Sequence, residues 1–184
     1  MTVRRSLRGA LAGGLAAAVW AAQQPLDKRA FGCRFDDVEL LGKLVTRGRS
    51  WPLAGAALHV QNGALFGAAY AQLRPLLAGP PIARGLSAGL AEHLASWPLV
   101  RVVDRHHPAR LELVSLWGNH RAFAQATWRH ALFGVLLGEL ERRLNRRYDA
   151  PAPVPAFSNG HGDLELAAAQ SPPSDSNREP LHYK

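Results

Sequence analysis

Six polar residues sit within stretches otherwise apolar enough to be buried: His59, Asn62, Glu92, His93, Arg129 and His130. Imidazole, carboxylate and guanidinium groups gathered in an apolar interior can relay protons or hold an ion. Histidines also ligate divalent metals, and two of them could ligate haem, although no c-type attachment motif is present; which metal, if any, is unknown. The plainer reading is structural, because His, Asn and Gln tie helices together through hydrogen bonds, each contributing roughly 0.6 kcal/mol. Asp104, His106 and His107 form a further loop cluster with metal-ligating side chains. No phosphate-cradling glycine loop, HExxH or GxSxG motif occurs, and Ser87 and Ser96 beside His93 do not make a nucleophilic site. The expectation is a non-enzyme that carries no cofactor.

The elements that must position these residues announce themselves by a four-residue rhythm of small side chains. Gly55, His59, Gly63, Gly67 and Ala71 share one helical face, as do Gly85, Gly89 and His93, and then Ala126, His130, Gly134 and Gly138. Such stripes let helix backbones approach closely, as in packed membrane helices. Apolar runs predict four helices over about 9–26, 51–73, 82–103 and 122–140. The first has eighteen residues without a charge, roughly 27 Å of helix and just enough for a bilayer core. The expected fold is all-α, an integral membrane bundle of four transmembrane helices packed through small-residue faces. From the helical rise, His59 and His130 lie about 12 Å deep, His93 about 15 Å, Asn62 and Glu92 about 16 Å, and Arg129 about 10 Å. The six therefore fall in one layer, where Glu92 and Arg129 are expected to neutralise each other.

The rest of the chain fits that frame. The 22 Lys and Arg residues, net charge +8, flank the apolar runs instead of forming one aromatic-interleaved face, so the lipid bilayer is the expected partner and nucleic acid is disfavoured. A homo-oligomer or another membrane protein is the other partner class. Residues 1–8 read as a basic head. Arg4-Arg5, the alanine-rich middle and Val19-Trp20-Ala21 also admit a cleaved signal peptide, but the three later apolar segments favour a retained helix. Between 27 and 50, Asp36 and Glu39 resemble a capping box, and Val38, Leu41, Leu44 and Val45 share a face suited to a membrane surface, with Gly48 ending the helix. Pro98 should kink the third helix near its end. The single cysteine, Cys33, excludes an internal disulfide. Residues 148–184, rich in Pro, Ala, Ser and Asn, read as disordered. The basic head and Arg142, Arg143, Arg146 and Arg147 place both termini on the cytoplasmic side.

The pattern resembles the YagU-like inner-membrane proteins, a small multi-helix group of undefined biochemical activity. The matching pieces are Gly9-Ala10-Leu11-Ala12-Gly13, His59-Val60-x-Asn62, Gly85-Leu86-x-Ala88-Gly89 leading to Trp97-Pro98-Leu99, and His130 with Glu139 and Arg142-Arg143. The resemblance covers roughly 9–147. It implies a bacterial inner-membrane location and supplies no catalytic residue; the leading expectation is a small integral membrane protein, a stress-related or transport-accessory component. A soluble, basic, nucleic-acid-binding helical protein is the remaining alternative.

Overall fold

A computed structural model describes residues 3–146; the tail expected to be disordered (148–184) lies outside them. The described residues are all-α, with helices α1 (Val3–Phe31), α2 (Asp37–Val45), α3 (Trp51–Leu73), α4 (Pro81–Ser96), α5 (Val100–His106) and α6 (His120–Leu144), and no strand. Short 3-10 turns occupy Arg74–Leu76 and Trp97–Leu99.

Boundaries differ from the sequence expectation for identifiable reasons. The first helix is not confined to 9–26: it begins within the basic head and runs through Pro25 to Phe31. It stops where Gly32 adopts φ +57° and Cys33 N–H reaches back to the Lys28 carbonyl at 3.2 Å, a glycine-closed C-terminus. The third expected helix does not run unbroken over 82–103. Pro98 has no N–H to donate, so the chain tightens into a 3-10 turn and restarts as α5. α6 starts at His120, where the Asn119 side chain accepts the Ala122 N–H at 3.1 Å. α2 is capped by Asp36, whose Oδ1 accepts the Glu39 N–H at 2.9 Å; it ends at Val45, before Gly48.

The four long helices stand in a row, α3–α1–α6–α4, each packed on its neighbour, while α3 and α4 at the two ends share no packed seam. The result is a helical bundle open on one side. Its outer seams are built on backbone contact. A Cβ at Gly13 would overlap the Gly63 carbonyl oxygen, and one at Gly67 the Gly9 carbonyl, between α1 and α3. Gly85 and Gly134 meet in the same way between α4 and α6, where Gly138 abuts the Pro81 carbonyl and Gly89 the backbone of His130. Gly55 does not serve the long-helix seam; it receives the Val38 carbonyl of α2 while Gly42 receives that of Trp51, seating α2 on α3.

The interior combines many small and polar side chains with a few large apolar ones. Ala12, Ala16 and Ala17 surround Trp20, Phe133 and Leu137, and a second cluster joins Cys33, Phe35, Leu116, Ala122 and Ala126. Leu7, Leu11, Leu15 and Val19, one row along α1, face outward, as do Leu53, Leu65, Ile82 and Leu94 on α3 and α4. No described helix is long and apolar enough to cross a membrane. In the cluster of Asp104, His106 and His107, Asp104 accepts the Leu116 and Trp117 N–H groups, and His107 Nε2 meets the Leu40 carbonyl at 3.0 Å.

Candidate ligand cleft and polar layer

The small-residue stripes bring His59, His93 and His130 inward from α3, α4 and α6, and the row closes around them. A fourth ring completes the set. Trp20 lies seven residues from Gly13 and three from Ala17, so it shares α1's small-residue face and points into the same layer. Its indole sits edge-on to His59, centroids 5.0 Å apart, and to His130, 4.6 Å apart. His130 continues to His93 at 4.7 Å, and His93 to Phe123 and Trp97 at 5.0 and 5.4 Å. One chain of rings thus follows the helix order from α3 to α4. Because the Trp20 indole lies between His59 and His130, those two imidazoles cannot share one metal or haem while it stays there. No group of three or more His, Cys, Asp or Glu among the described residues can hold a metal ion.

Protons can be placed from hydrogen-bond roles. Thr127 Oγ1 gives its proton to the Phe123 carbonyl at 2.8 Å, so at 2.9 Å it accepts from His93 Nε2. His130 Nδ1 faces the Ala126 carbonyl at 2.7 Å, and its Nε2 faces Glu92 Oε2 at 2.8 Å. His130 thus has an oxygen opposite each ring nitrogen. His59 Nε2 is buried and has no partner among the described residues.

Arg129 does not pair with Glu92. It lies on α6 one position before His130, a turn of about 100° that directs it toward the α1 C-terminus. There its Nε and Nη2 grip the two oxygens of Asp27 at 2.6 Å each, Nη1 reaches Asp37 at 2.6 Å, and Nη2 also meets the Phe35 carbonyl at 3.0 Å. Gln125 donates to Asp27 at 2.7 Å, and Trp20 Nε1 to Asp37 at 3.1 Å. Sequence reasoning missed Trp20, Asp27, Asp37 and Gln125. A signal existed for two of them, since Gly13, Trp20 and Asp27 recur every seven residues on one face.

Between α3 and α4, where the row is open, lies a cavity of about 540 Å³. α1 and α6 form its floor through Trp20, His130 and Phe133; α3 contributes His59, Asn62 and Phe66, and α4 contributes Glu92, His93 and Ser96. Five of the six residues singled out from the sequence therefore meet at one cleft, with Asn62 at its exposed edge, while Arg129 stands behind the wall holding Asp37. A smaller cavity of about 300 Å³ beside α2 is lined by the Lys28–Asp36 ion pair and by Glu39 and Glu112, both of which also pair with Lys43.

Preformed concavities of 300–1,000 Å³ with a few convergent polar groups are the usual form of small-molecule sites. No family model matches the chain, and no curated protein or solved structure matches it.

Proposed function

We propose that this chain is an integral membrane protein whose helices α1, α3, α4 and α6 lie in a bacterial inner membrane. In this reading it holds a small ligand in the cleft between α3 and α4, as a binding or transport-accessory component and not as a catalyst.

The observation that carries the membrane reading is the inside-out distribution of side-chain size. A water-soluble bundle draws its stability from buried large apolar groups, at about 25 cal/mol per Å². Here glycine and alanine occupy the seams, and Leu7, Leu11, Leu15 and Val19 form an outward row. In lipid that arrangement costs nothing, because tails solvate leucine and close backbone packing drives association. The fully buried Arg129 also fits, since intramembrane charges face the bundle interior and pair there. The resemblance to YagU-like proteins points to the same location. The inward His59, Gln24 and Gln125, together with the exposed Gln61 and Asn62 of α3, lower the average hydropathy of these helices, while the outward row of α1 is apolar.

A second reading rests on the absence of a described helix long and apolar enough to cross a membrane. It makes the bundle a peripheral or water-soluble helical protein, with the row on α1 as a contact face. Washing cell membranes with alkaline carbonate separates the two. Retention with the membranes is expected; release into the soluble fraction would establish the second reading.

A further inference from the structure

We propose that the cleft between α3 and α4 selects a lipophilic organic cation, such as a tertiary or quaternary amine with an aromatic or alkyl body. This rests on the cleft being a ligand site.

The chain has 22 Lys and Arg residues and a net charge of +8, yet among the described residues no Lys or Arg lines the cleft, while two carboxylates, Asp37 and Glu92, do. The surrounding charges do not balance. Asp27, Asp37 and Glu92 face at most two cations, Arg129 and a doubly protonated His130. The nearby Asp36 is matched by Lys28, and His59 and His93 form no ion pair among the described residues. An unmatched negative charge beside an apolar wall favours a cation and penalises an anion. The walls themselves suit such a ligand: Trp20, Trp97, Phe35, Phe66 and Phe133 present rings to the space, and aromatic faces attract cations most strongly where water is excluded. A volume of about 540 Å³ admits a molecule of drug size. Because α3 and α4 share no packed seam, no helix contact between them bars an amphiphile dissolved in a bilayer from entering there.

Three probes of nearly one shape provide the test: tetraphenylphosphonium, tetraphenylborate and neutral triphenylphosphine oxide, titrated calorimetrically into the full chain in nanodiscs of neutral lipid. The phosphonium should saturate at one per chain and bind at least about tenfold more tightly than either other probe. Glu92→Gln should weaken it about tenfold without loss of helical circular dichroism, since the Glu92 side chain is 41% exposed. Asn62→Asp, at the exposed edge, should strengthen it severalfold. Equal binding of the neutral probe, or no effect of either variant, overturns the choice of a cation and leaves the cleft as a ligand site. Failure of all three probes to saturate overturns both.

Discussion

The seams that build this bundle are of two kinds. The outer seams, α1 with α3 and α4 with α6, are held by glycine backbones in contact, and the polar contacts beside those glycines are uncharged or partly exposed: Trp20 with His59, His93 with Thr127 and Glu92 with His130. The central seam, α1 with α6, places Trp20, Asp27, Gln125, Arg129 and His130 against one another. The outer seams tolerate nothing larger than what they have; the central seam tolerates change of shape better than change of charge. Position comes from the first kind, and the buried ion group of Asp27 and Arg129 from the second.

The largest effect should come from the outer seams. Gly13→Leu or Gly63→Leu would drive a side chain into the facing backbone, where no flexible atom can yield. The expected result is loss of the fold, seen as aggregation on size exclusion; normal assembly would show the seam to be pliable. Next comes the buried ion group. Asp27→Ala leaves Arg129 with Asp37 alone and should cost about 3–5 kcal/mol in denaturant unfolding. The cost should exceed that of Trp20→Phe, which removes one hydrogen bond to Asp37 but keeps a ring between His59 and His130, at about 1 kcal/mol.

The smallest effect is expected at Glu92→Gln. Its partly exposed pair with His130 should contribute under about 1 kcal/mol to unfolding even if ligand binding changes.

The outer seams were readable in the sequence because a single helix reports its own stripe: Gly63 and Gly67, or Gly85 and Gly89, need no knowledge of a partner. The depth argument also brought His59, His93 and His130 to one level. It failed for Arg129, because depth along a helix says nothing about direction around it. One residue separates Arg129 from His130, yet they face different groups. Asp27 was hidden for a related reason: its charge marks the end of an apolar run, whereas the helix continues past Pro25 and buries it. The open α3–α4 side could not be read, because the stripes indicate that helices pack but not which pairs stay apart.

The most direct test of the membrane account is the environment of the outward α1 row. Spin labels placed singly at Leu7, Leu11, Leu15 and Val19, with Cys33→Ser, in chain reconstituted into vesicles, can be relaxed by oxygen, which concentrates in lipid, or by a water-soluble nickel chelate. The account predicts that oxygen dominates at Leu11, Leu15 and Val19 and that the chelate gains toward Leu7, near the basic head. Strong relaxation by the chelate along the whole row would place these leucines in water and contradict it.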